Sequence, residues 1–176
     1  MSFCRRTAVF LVVLFLLLPA PSRAQDVDAL LEERSAFLWF EGEALGDLII
    51  GARAQFAFVY VDSALARAVA EDSDAPEWLR SNIQFFGSRE TRQKALFIVQ
   101  LRTIRNLKLE LPMITIGTHA LSAADALTNI HYVPLGDLPP GLAVSFAVAV
   151  PLSAVKGKSV PVAVGEYASE LGFSIR

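Results

Sequence analysis

The chain has 176 residues, 53% of them hydrophobic and 19% charged, with a formal net charge of −2. A slightly acidic balance excludes a bulk nucleic-acid binder, whose footprint is a basic surface. A single cysteine excludes an intrachain disulfide framework.

The first 24 residues read as a leader. Arg5 and Arg6 precede an unbroken apolar run from Ala8 to Leu18, followed by Pro19, Pro21 and Ser22-Arg23-Ala24. That order is a secretory signal peptide with cleavage after Ala24. The run is too short for a bilayer core, which takes about 20 apolar residues, so no stable membrane insertion is expected. Thr7-Ala8-Val9 after the arginine pair and the strong apolarity favour general secretion over a twin-arginine route. Cys4 leaves with the leader, and the mature chain from Gln25 then has no thiolate ligand, no cysteine nucleophile and no lipid-attachment residue. Release into a periplasm or beyond is expected. The remaining length suffices for one hydrophobic core.

Arg5, Arg6 and Arg23 also leave with the leader, taking Lys+Arg from 16 to 13 against 18 acidic residues, a net charge of −5. Residues 25–90 hold 13 acids and 5 bases, and residues 91–176 hold 5 acids and 8 bases. That asymmetry allows head-to-tail contact between copies, although a solvated surface is the ordinary reading of such charges.

Residues 25–35 read as a tether or short helix, since Val27, Leu30 and Leu31 share a helical face. From Ala36 the chain turns aromatic and β-branched, and Gly46-Asp47 predicts a tight turn between two strands. In the second strand Ile50, Ala52, Ala54, Phe56, Phe58 and Tyr60 fall on one face, opposite Arg53 and Gln55. Ser63–Glu71 is predicted as a helix capped by Asp62 or Ser63, with Leu65, Ala68 and Val69 on one side. Asp74-Ala75-Pro76 signals a turn, and Ser81–Phe86 is expected to be a short strand.

The most sustained strand pattern runs from Lys94 to Gly117. Phe97, Val99, Leu101 and Thr103 alternate with Ile98, Gln100 and Arg102; after Arg105-Asn106, Leu107, Leu109 and Leu111 alternate with Lys108 and Glu110. Pro112 belongs at an edge or bulge, and Ser122 to Asp125 has capping-box spacing. Asn129–Pro134 is expected to be a strand and Gly136–Gly141 a turn. Val144, Phe146, Val148 and Val150 then alternate with Ala143, Ser145, Ala147 and Ala149. Lys156-Gly157-Lys158 reads as a hairpin loop into Val160–Val164, and Tyr167 with Phe173–Ile175 closes the sheet.

Catalytic signatures are scarce. His119 and His131 stand apart from any cysteine, while a transition-metal site takes three or four converging ligands. No cofactor is expected. Glu41 and Glu43 share a strand face beside Trp39, roughly 7 Å apart by strand rise, a spacing that glycosidase carboxylates use; solvated acids at a strand end are the simpler reading. The series Arg89, Arg92, Lys94, Arg102, Arg105 and Lys108 suits an anionic polymer or lipid head group or, more simply, the solvent face of a strand.

From Ala95 onward the order of features resembles the secreted bacterial immunoglobulin-like sandwich domains. FIVQLRTIRN leads to a second strand, and the LPPG turn of Leu138–Gly141 precedes a strand, Ala143–Leu152, that ends in VPL. The resemblance covers the last half of the chain and departs in the acidic 63–80 segment and the missing cysteines. It implies a mainly β protein over residues 36–176, an antiparallel β-sandwich with one short helix inserted near residues 63–72. It also implies a non-catalytic role in the cell envelope, binding a protein or surface polymer through displayed loops; the charge asymmetry adds a homo-oligomer as a further option. The candidate interaction surface is Trp78, Arg102, Arg105, Lys108, Leu138 and Pro139. A small outer-membrane β-barrel is the alternative of another class, opposed by prolines at 112, 151 and 161; a glycan-active enzyme using Glu41 and Glu43 is the third.

Overall fold

A computed structural model describes residues 27–172; the expected leader and the expected closing strand at 173–175 lie outside them. In chain order the elements are α1 (Val27–Glu33), β1 (Ser35–Phe40), β2 (Glu43–Leu45), β3 (Leu48–Ile50), β4 (Ala54–Val61), α2 (Ser63–Glu71), α3 (Glu77–Ile83), β5 (Lys94–Thr103), β6 (Leu107–Leu109), β7 (Ile114–Ile116), β8 (His119–Ala120), β9 (Gly136–Leu138), β10 (Ala143–Pro151), β11 (Val160–Val164) and β12 (Tyr167–Leu171). The protein is mainly β, with antiparallel sheets that do not close.

The alternation read in the sequence builds a four-stranded sheet in the order β1-β4-β5-β10. On one face Phe56, Phe58, Phe97, Val99, Phe146 and Val148 are buried in the larger core cluster. That cluster also holds Ile114, Ile116, Val162, Val164 and Leu171 from a second sheet, β12-β11-β7-β8. Phe40 meets Tyr167 edge-on at a centroid distance of 5.2 Å and ties β1 to β12. Two short ladders, β2 with β3 and β6 with β9, complete the β structure of the described residues.

The opposite face of the larger sheet is also an interior, but only at one end. Val59, Val61, Leu96, Ile98 and Ala147 are covered by a smaller cluster built from Val27 and Leu30 of α1, Leu65, Ala68 and Val69 of α2, and Leu79 of α3. The helix predicted at Ser63–Glu71 forms over that span, with Asp62 Oδ1 accepting from the Leu65 N–H at 2.8 Å. Arg34 ties the same cap to β1 through Asp62 at 3.0 Å.

Several sequence expectations need correction. The short helix expected within residues 25–35 forms as α1, but the single inserted helix near 63–72 is followed by a second, α3. Ser81–Phe86 is no strand: Glu77–Ile83 is helical, with Leu79 and Asn82 turned inward. Asn129–Pro134 is no strand either, because Asn129 Oδ1 accepts from the His131 N–H at 3.1 Å and closes a 3₁₀ turn in place of a ladder. β10 and β11 are not a hairpin; each pairs within a different sheet.

The Gly46-Asp47 turn forms as read, but the strand pair around it is interrupted. Phe40 pairs with Ala54, and the next ladder begins at Glu43 with Ile50. Two residues therefore intervene on one side and three on the other, which is a bulge. Parity is lost across it: Ala54 is buried and Ile50 is exposed.

Two stability measurements check this architecture. Leu79→Ala, which opens a hole beneath α3, should lower the unfolding free energy by about 2–5 kcal/mol with an unchanged denaturant slope in urea. Burial pushes the Asp62 carboxyl up, but the hydrogen bonds from Arg34 and the Leu65 N–H outweigh it and hold it below its ordinary value. Burial likewise pushes Asp125 up, and its bonds to His119 and Ser122 hold it down. Both groups thus contribute stability above the unfolded carboxyl range and lose it as pH falls through their lower folded values. Acid titration of the urea midpoint should show a plateau above about pH 5 and a decline below about pH 4 that Asp62→Asn makes shallower.

Candidate functional site

Because side chains alternate along a strand, the pairing register sorts the helix-side face of the larger sheet into rows. Ser35, Val59, Ile98 and Ala147 form the row at the border of the helical cover. The next row is Phe37, Ala57, Gln100 and Ser145, and the one beyond it is Trp39, Gln55, Arg102 and Ala143. From row to row the composition passes from aliphatic to aromatic and polar, and the helices stop where that change occurs.

What remains is an open groove of about 430 Å³ crossing all four strands. Ala57 gives it a low floor. Phe37, 56% exposed, stands on the β1 side, and Trp78 overhangs from α3. Gln55, Gln100 and Ser145 supply donors and acceptors, and Arg102 supplies the charge. No acidic side chain lines it, and Arg102 makes no ion pair among the described residues. The groove is the amphipathic, mostly preformed concavity that binding sites favour.

Trp78 is held from behind. Asn82, one turn on and buried, donates from Nδ2 to the Trp78 carbonyl at 2.8 Å and to Ser145 Oγ at 3.1 Å. Thr128 Oγ1 donates to Asn82 Oδ1 at 3.3 Å and accepts from the Ala147 N–H at 2.9 Å. The network fixes α3 to β10 and satisfies an amide on the outer edge of that strand. The Leu127 N–H covers the Ala147 carbonyl at 2.9 Å.

Of the sequence-derived surface residues, the structure brings Trp78 and Arg102 together in this groove. Arg105 and Lys108 lie past the end of β5, exposed, with Lys108 3.5 Å from Glu110. Leu138 faces inward and is buried opposite Leu107, so its side chain is core. Pro139 is exposed; its carbonyl accepts from Thr103 Oγ1 at 2.6 Å, which pins the Leu138–Gly141 turn to β5. Phe37, Gln55, Gln100 and Ser145 escaped the sequence reading as a site; for Gln55, Gln100 and Ser145 the parity opposite the core face was visible, whereas both faces of β1 carry aromatics. Only the strand register makes them neighbours.

Glu41 and Glu43 line a second depression of about 570 Å³ with Glu166 and Tyr167. They are not successive positions of one strand, because Glu41 sits at φ 54° in the bend after β1. Its carboxylate accepts from Arg53 Nε, and Arg53 also donates to the Asn106 carbonyl at 3.0 Å. His119 Nε2 lies 2.9 Å from Asp125 Oδ2, which also accepts from Ser122 Oγ at 2.7 Å. With its serine bonded to the carboxylate instead of the imidazole, this cluster lacks the order of a nucleophile, base and orienter. Among the described residues no three His, Cys, Asp or Glu side chains converge as a metal site, and no helix is long and apolar enough to cross a membrane. No protein-family model, curated protein or solved structure matches the chain.

Asn82→Leu tests the support of the groove. It strands Ser145 Oγ and Thr128 Oγ1, and the variant should unfold about 1–3 kcal/mol more easily. In a Trp39→Phe background, its remaining Trp78 fluorescence should show lower anisotropy than the same background with Asn82 intact.

Proposed function

We propose that the chain is an exported, non-catalytic protein of the cell envelope, a β-sandwich of immunoglobulin-like kind that binds a protein or surface polymer. The observation that carries this reading is the uncovered end of the larger sheet, where Phe37, Trp78, Gln55, Gln100 and Arg102 frame one groove. Aromatic side chains and arginine dominate the energetics of recognition surfaces, and the amides there give direction to the contact without adding charge. The core shared by the two open sheets supports the sandwich over a membrane barrel, whose strands must close to leave no edge. The helical layer is an addition to such a domain. An enzyme using Glu41 and Glu43 draws less support, since Arg53 engages the first of them.

The reading is tested in cells. Fractionation should place a chain beginning at Gln25 in the periplasm or the medium. A photo-crosslinking residue at Phe37 should give adducts with one envelope protein or polymer. Arg102→Ala should reduce their yield by about tenfold, the scale of one lost anchor contact. A chain retained in the cytosol with its leader intact, or adducts indifferent to Arg102→Ala, would sink it.

A further inference from the structure

The hairpin formed by β2 and β3 is exposed at every residue. Leu45 and Leu48, either side of the turn, are 64% and 65% exposed, and Ile49 and Ile50 are also uncovered. Nothing in the described protein packs on this tip, and apolar side chains gathered on a projecting arm mark a contact surface. Its charged side chains are acidic, Glu43 and Asp47. The groove has the reverse chemistry: aromatic and amide walls with Arg102 as its one charged lining residue.

The two features are neighbours. Gly42, at the base of the hairpin, is wedged so closely that a β-carbon there would lie 2.9 Å from both Trp39 Cβ and Ile49 Cγ2. Trp39 belongs to the row next to Phe37 on the groove face. The hairpin therefore continues β1 and β4 past the Trp39–Gln55–Arg102 row, at one end of the groove.

We propose that the occupant of the groove is the β2–β3 hairpin of a second copy of this chain, exchanged reciprocally. Leu45 and Leu48 enter between Phe37 and Trp78, and Asp47 at the turn faces Arg102. The inference rests on the groove's being a binding surface. One hairpin tip is small against the roughly 1,200–2,000 Å² of a standard interface; exchange in both directions doubles the contact, and a dimer of micromolar stability is the expected product. Apolar burial supplies the affinity, and the charge pair sets the register.

Sedimentation velocity of the chain from Gln25 to Arg176, from about 1 to about 300 μM, brackets the range in which so small an interface dissociates. A monomer–dimer equilibrium is expected, with a blue shift of tryptophan emission on dimerisation as Trp78 is covered. Arg102→Asp should weaken the dimer by at least about tenfold by placing two acids together, and Asp47→Lys should do the same with two cations. The double variant Asp47→Lys/Arg102→Asp should recover most of the loss. Leu45→Ser/Leu48→Ser should remain monomeric throughout. All four changes lie at exposed positions, and an unchanged thermal unfolding midpoint confirms that each variant folds. A monomer at every concentration, association indifferent to Arg102→Asp, or no recovery in the double variant would overturn the proposal. If the chain stays monomeric while Arg102-dependent crosslinks from Phe37 persist in cells, this inference falls and the envelope-binding reading stands. If dimers form and no envelope adduct appears, the reverse holds.

Discussion

Val59, Ile98 and Ala147 lie side by side on the far face of a sheet whose near face is already a core, and the need to cover that far face governs the rest of the molecule. A sheet with two apolar faces requires a layer on each side. The second sheet provides one, and three helices of 7, 9 and 7 residues provide the other. Helices so short span only about 10–14 Å each at their rise per residue, whereas a ten-residue strand such as β5 runs about 33 Å. Complete cover is out of their reach. The sequence answers by changing side chains along the two central strands: Val59 of β4 and Ile98 of β5, under the helices, give way to Gln55, Gln100 and Arg102 beyond them. The groove is the place where cover and apolarity end together.

The same geometry explains why α3 carries a buried amide. An edge strand leaves backbone groups unpaired, and β10 is an edge. Thr128 and Leu127 satisfy Ala147 from outside, and Asn82 joins that patch to the helix. A buried asparagine requires partners for both ends of its amide; here Trp78 and Ser145 take the donor end and Thr128 the acceptor end. The connection fixes where α3 stops along the strand, and so where Trp78 overhangs.

Much of this was legible in the sequence. The alternation of Phe97–Thr103 and Val144–Val150 identified the near face of β5 and β10, Asp62 announced α2, and Ser122 with Asp125 announced a capped turn that forms with both reciprocal bonds. The far face was ambiguous because Ala143, Ser145, Ala147 and Ala149 read equally as solvent-facing or as small residues beneath a helix. The α3 segment was misread because seven residues carry too little periodicity, and the aromatics at Phe85 and Phe86 mimic a strand. Leu138 looked like a loop residue beside two prolines, yet its partner Leu107 lies 31 positions away in sequence; only pairing turns it inward. Of the six surface residues singled out, Trp78 and Arg102 meet in the groove because register, invisible in one sequence, brings β5 beneath α3.

The bulge between β1 and β4 has the widest structural effect for a single residue. Without it, Ile50 and Ala52 would continue the parity of Ala54 and Phe56, and the β2–β3 ladder would extend the larger sheet with its apolar side chains directed at the core. One extra residue on the β4 side reverses that parity. Glu41 enters the left-handed region at the bend, Arg53 clamps its carboxylate, and Gly42 admits the close approach of Trp39 and Ile49. The hairpin is therefore rigidly based and outwardly apolar at once. Its tip contributes no side chain to either core cluster, so its leucines are free to answer to a partner instead of to the fold. A change at the tip and a change at Phe97 or Leu79 act on separate free energies, contact in the first case and folding in the second, and the bulge is what keeps them apart.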